Sequence, residues 1–148
     1  MAFGHLVVLP LHPALVHFPV ALLSLTWLFG LVWHATGTER WGSLATTLEW
    51  IALAFVPFTM VAGVVDAGGF DFLVEPDWTA PLIWHFLCSV ATAILFAAHA
   101  FWRRSVSAAA AAGRGTGTPH VWVDLGLTAT GFWLLMVTGL IAAEMVFG

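Results

Sequence analysis

Four apolar stretches dominate this chain, and each is long enough to cross a membrane. They run from about His12 to Ala35, Trp41 to Asp66, Thr79 to Trp102 and Pro119 to Phe147. A bilayer core takes roughly 20 helical residues, and each stretch supplies them. Backbone polar groups in lipid must be bonded within the segment, so each stretch reads as a helix. Composition agrees: 61% of residues are hydrophobic and only 8% charged, against about 25% charged in soluble domains. The expected architecture is a single all-α domain over residues 1–148, an integral membrane four-helix bundle.

Short polar segments punctuate the spans. Thr36-Gly37-Thr38-Glu39-Arg40 reads as a tight loop. Gly68-Gly69 and Glu75-Pro76-Asp77 frame a longer, acidic one. Ser105 to Thr118, with its Ala run and glycines, reads as a low-complexity linker. Thr118-Pro119 reads as N-cap and first residue of the fourth helix.

Charge sets the expected orientation. All four basic residues, Arg40, Arg103, Arg104 and Arg114, fall at the first and third loops. Both loops lie on one side of a four-span protein, and that side is expected to be cytoplasmic. The expected location is therefore a bacterial inner membrane, crossed several times, with both termini periplasmic. Asp66, Asp71, Glu75 and Asp77 fall on the outer face. Trp33, Trp41, Trp102 and Trp122 suit an inner aromatic belt, and Trp78 and Trp84 an outer one. The first twelve residues carry no Lys or Arg, so no secretory signal peptide is expected.

The two halves resemble one another. Pro13-Ala14-Leu15-Val16-His17-Phe18 matches Pro81-Leu82-Ile83-Trp84-His85-Phe86, and Met60-Val61-Ala62-Gly63 matches Met136-Val137-Thr138-Gly139. The order is the same in both halves. Two helical hairpins related by a pseudo-twofold along the membrane normal are expected, with chance likeness of apolar sequence as the rival account.

Seven histidines in so apolar a chain call for explanation. Under the repeat, His17 and His85 lie at matched depth on helices one and three and face each other. Ionisable groups inside a bilayer are costly and mark functional sites. Two opposed imidazoles can ligate the iron of a haem b axially, so His17 and His85 are the candidate metal ligands. The competing readings are hydrogen bonding, since Pro19 frees the carbonyl of Leu15 and such carbonyls need donors, and quinone or proton handling or a non-haem metal. His99 lies 14 positions after His85, ~21 Å along the axis and about 40° round the helix. That spacing is similar to the two-haem helix of respiratory b cytochromes. His34 is the candidate partner for a second haem, although it stands about 100° off the face of His17. His120 is more peripheral, and His5 and His12 read as interfacial.

Glu49 and Asp124 enter helices two and four from the inner side. They can pair with His99, His120 or Arg103, or pass protons to a quinone. Asp66 and Glu144 read as solvated helix ends, Cys88 as a small buried residue and Met60 as packing rather than a ligand. Gly63, Gly126, Gly131 and Gly139 suit close helix approach. A single cysteine excludes an intramolecular disulfide and four-cysteine metal sites. Four basic residues make no nucleic-acid surface. No Ser-His-Asp set, phosphate loop or His-Glu-x-x-His occurs, so hydrolytic chemistry has no support.

His12-Pro13-Ala14-Leu15-Val16-His17-Phe18-Pro19 resembles the signature of a bacterial membrane family catalogued as domain of unknown function 2231. Gly63 and Asp66, closing helix two, and His85, early in helix three, also match its pattern. The resemblance covers nearly the whole chain and departs from the family's Gly-rich end of helix four. It implies a four-helix membrane domain, with His12, His17, Asp66 and His85 as the matching positions. Relatives fused to or encoded beside Rieske-type proteins imply electron transfer.

The expectation with most support in the sequence is a b-type cytochrome-like subunit. It would carry electrons between a periplasmic partner, a soluble cytochrome or Rieske-type protein, and the quinone pool or other subunits of a membrane redox complex. The acidic outer loop suits a basic donor. Two alternatives remain: a cofactor-free structural subunit, and a quinone- or proton-handling module built on His85, Asp66 or Glu49. An electron-transfer or accessory subunit is expected rather than a stand-alone enzyme.

Overall fold

The computed structural model describes residues 11–68, 74, 79–114 and 120–147. Four helices account for nearly all of them: α1 (Leu11–Thr36), α2 (Glu39–Asp66), α3 (Ala80–Ala111) and α4 (Val121–Phe147). All are long and apolar enough to cross a membrane. The all-α bundle is therefore as the hydropathy pattern requires. His5, Asp71, Glu75-Pro76-Asp77, Trp78 and the Thr118-Pro119 cap lie outside the described residues.

Helix ends follow local chemistry. α1 stops at Gly37, whose φ of 65° a side chain would resist. Its N–H closes on the Trp33 carbonyl at 2.8 Å. α3 runs nine residues past the expected end at Trp102, because Ser105 to Ala111 continue the helix rather than starting the linker. Alanine is the strongest helix former, which explains the extension. Gly113 (φ 71°) ends it, and the Arg114 N–H reaches back to the Ala109 carbonyl. Pro81 sits in the first turn of α3, where its missing N–H costs nothing.

α1 packs along α2 and α3 along α4, and the two hairpins then join through α1 with α4 and α2 with α3. α1 and α3 thus stand diagonally, as do α2 and α4. This is the arrangement that a twofold between hairpins produces.

The packing inverts that of a soluble protein. Large apolar side chains such as Phe58, Val61, Ile94, Trp122, Trp133 and Leu140 are exposed around the outside and contact lipid. Inside, small residues let the helices approach: Ala45, Ala52, Ala62 and Ala100 are buried with Leu23 and Phe96. Thr26, Thr92 and Thr128 are also buried, and each hydroxyl donates to the carbonyl four residues back. Trp27 stacks on Phe132, with ring centroids 4.6 Å apart, to join α1 to α4. Trp50 meets Phe101 edge-on to join α2 to α3.

Two expectations about packing need correction. Trp33 belongs to the interior rather than an aromatic belt, because Gly42 leaves it room; a Cβ there would lie 2.7 Å from its ring. Of the four glycines expected at helix contacts, only Gly131, against Phe96, and Gly63, against His12, are close to a side chain. Gly126 and Gly139 have no such neighbour within 4 Å and face outward.

Candidate functional site

At the end of the bundle carrying the arginines, every helix sends at least one polar side chain inward. His34 comes from the last turn of α1, Glu49 from α2, His99 and Arg103 from α3, and Asp124 from the first turn of α4. His99 and Arg103 are four residues apart and so share a face of α3.

His99 is the centre. Its Nδ1 lies 2.6 Å from Glu49 Oε1 and its Nε2 3.0 Å from Asp124 Oδ1. Asp124 also receives His34 Nε2 on Oδ2 at 2.8 Å and Arg103 Nε on Oδ1 at 3.2 Å. The Arg103 guanidinium carbon stands 4.8 Å from the Trp33 ring centre, a cation–π contact. Glu49 and His99 are fully buried, and Asp124 and Arg103 nearly so. Glu49 Oε2 is the one buried side-chain polar atom with no partner among the described residues.

The protons in this chain can be counted. Carboxylate oxygens only accept, so a doubly protonated His99 donates Nδ1–H to Glu49 and Nε2–H to Asp124. With Arg103 included, that state carries no net charge. If His99 is neutral, one carboxyl must hold the proton and donate it to the bare ring nitrogen. The two states differ by short proton movements along bonds already formed. An imidazole that takes a proton on one nitrogen and releases one from the other is a relay.

A groove of about 460 Å³ opens beside this cluster between α2 and α3. Arg103 and Trp33 form its inner wall, and Ser43, Thr47, Trp50 and Arg104 lie around it, with Glu39 as its acidic member. Arg103 therefore touches both the groove and Asp124.

The opposite end holds a second group. The His12 backbone N–H donates to Asp66 Oδ2 at 2.7 Å, and its ring Nδ1 lies 2.8 Å from the Thr59 carbonyl. His85 Nδ1 lies 3.3 Å from the Thr138 carbonyl. The two rings meet in an edge-type contact, with centroids 6.2 Å apart and planes at 81°. Asp66 is thus bonded to α1 rather than simply solvated.

The histidines are sorted differently from the sequence expectation. His85 meets His12, not His17. The His17 side chain is exposed, and its Nδ1 bonds to the Pro13 carbonyl of its own helix. A haem iron between His17 and His85 does not fit this placement. His99 does not meet His34 as an axial pair either; both hold the same carboxylate, and neither ring nitrogen of His99 is left for iron. His120 is exposed at the start of α4. Glu49 and Asp124 do pair with His99 and Arg103, the contacts their depth allowed. His34 as partner of Asp124, Trp33 beneath Arg103 and His12 beside His85 had no signal in the sequence.

These features define a polytopic all-α membrane protein with an ionisable centre buried between its spans. Residues 8–148 match the family model described as "Predicted membrane protein (DUF2231)", and the chain belongs to that family. Comparison with curated proteins and with solved structures finds no match.

Proposed function

We propose that this protein is a proton-handling module of the bacterial inner membrane. Glu49, His99 and Asp124 hold and pass a proton, Arg103 balances the charge and His34 positions Asp124. The single observation carrying this reading is His99, fully buried with a carboxylate on each ring nitrogen. Burying an ion costs several kcal/mol, whereas an interhelical hydrogen bond in a membrane protein contributes about 0.6 kcal/mol on average. Helix adhesion alone does not offset that cost; a site that binds and releases protons needs these groups. Glu49 Oε2, buried without a partner, is the atom on which an incoming proton or a water would rest.

The arginine-bearing end is the cytoplasmic one by the positive-inside rule, which puts both termini in the periplasm. Exchange with the cytoplasm runs through the Arg103 groove. The groove's size falls within the range of small-ligand sites, roughly 300–1,000 Å³, and its indole faces and guanidinium donors suit a quinone headgroup. A haem-carrying role would need an axial pair that His17 and His85 do not form.

Infrared difference spectroscopy of the purified protein across a pH titration tests the reading. A buried carboxyl stretch that appears on acidification and vanishes in Glu49→Gln or Asp124→Asn is expected. If no such band titrates in the wild type, the proposal fails.

A further inference from the structure

The two histidines at the periplasmic end form a site that the proton relay does not use. Each ring sets its Nδ1 against a backbone carbonyl of its own hairpin, His12 on Thr59 of α2 and His85 on Thr138 of α4. A carbonyl only accepts, so both Nδ1 atoms carry the proton and both Nε2 atoms keep a lone pair. No partner for either Nε2 occurs among the described residues. Metal-binding histidines are held in this way, with the far ring nitrogen donating to a carbonyl or carboxylate that fixes tautomer and orientation.

The spacing is compatible with one ion between the rings. A metal bonded to a ring nitrogen at about 2.0 Å lies about 3 Å from the ring centre, so two rings on opposite sides of one ion have centres about 6 Å apart. The observed separation is 6.2 Å, with the planes at 81°. Among the described residues no third His, Cys, Asp or Glu completes a larger ligand set. A two-nitrogen, in-line site suits a late transition metal that accepts two ligands, and imidazole is a good ligand for copper.

We infer that His12 Nε2 and His85 Nε2 bind a single copper(I) ion between the two hairpins at the periplasmic end. Its positive charge is offset by Asp66, whose carboxylate is fixed to the His12 backbone N–H at 2.7 Å. Gly63 leaves room for the His12 ring, since a Cβ there would stand 3.1 Å from His12 Nδ1. Both ligands bind as neutral imidazoles already in the required tautomer, so no proton is displaced.

The test is a titration of the full-length protein in detergent with copper(I), under ascorbate and against a chromogenic chelator. One ion per chain is expected. His12→Asn and His85→Asn should each weaken binding at least tenfold. Asparagine keeps an amide donor for the carbonyl but lacks the distal nitrogen, so folding, read from helicity and gel filtration, should be preserved. His17→Ala should bind as the wild type does, because its ring is held by a carbonyl of its own helix. Absence of binding, or binding that survives His12→Asn, overturns the inference. So does a preference for zinc(II), or a Soret band that depends on His12, because either would put a different species between the rings.

Discussion

Asp124 Oδ1 is shared by His99 Nε2 at 3.0 Å and Arg103 Nε at 3.2 Å, so one oxygen on α4 joins the fully buried ring to the cation that faces the groove. This link connects the buried centre to the groove at the arginine-bearing end.

Removing Asp124 should be the most damaging single change at the site. Asp124→Ala leaves Arg103 buried without its counter-ion and withdraws partners from His99 and His34. A destabilisation of about 3–5 kcal/mol is expected, the range for breaking a buried pair from one side. Unfolding in mixed micelles measures it, and a loss below about 1 kcal/mol would contradict the buried assignment.

Stability and proton binding should separate. Replacing Glu49 and His99 together by apolar residues of similar volume is expected to leave stability within about 1–2 kcal/mol of wild type, or raise it, because the desolvation cost disappears with the charges. The titrating carboxyl band should be lost in the same double variant. Severe unfolding of that variant would show that the cluster is structural.

The glycines sort into two groups that alanine scanning should recover. Gly131→Ala puts a methyl 2.6 Å from the Phe96 ring, and Gly42→Ala puts one 2.7 Å from Trp33. Overpacking of this kind costs about 1–3 kcal/mol. Gly126→Ala and Gly139→Ala meet nothing within 4 Å and should be neutral or stabilising by up to about 1 kcal/mol through helix propensity. Thermal denaturation of the four variants gives the comparison.

Orientation is testable with thiol reagents. In a Cys88→Ala background, Glu144→Cys should be labelled from the periplasm by an impermeant maleimide, and Thr38→Cys only after the membrane is opened. Both positions are exposed at helix ends. The reverse pattern would move the relay's groove to the periplasmic side.

Much of the fold was legible because hydrophobic length is a local property. Every expected span is occupied almost throughout by a helix of the structure, and among the described residues the helix ends differ by a residue or two except at the end of α3. There the alanine run, taken as linker, obeyed helix propensity instead. The site was legible only in part. Depth along the helices put Glu49 and Asp124 near His99 and Arg103, and the structure joins them. The same reasoning matched His17 to His85 and erred, because depth says nothing about rotation. His17 turns outward to a carbonyl of its own helix, and His12, five positions earlier, fills the place facing His85.

The amino-acid order alone determined that this chain spans a membrane as four helices, since apolar runs of that length have no other low-energy solution in lipid. Which histidine meets which carboxylate was decided by the tertiary structure. A partner choice of that kind depends on how each helix is turned about its axis, and only packing against the other three sets that angle.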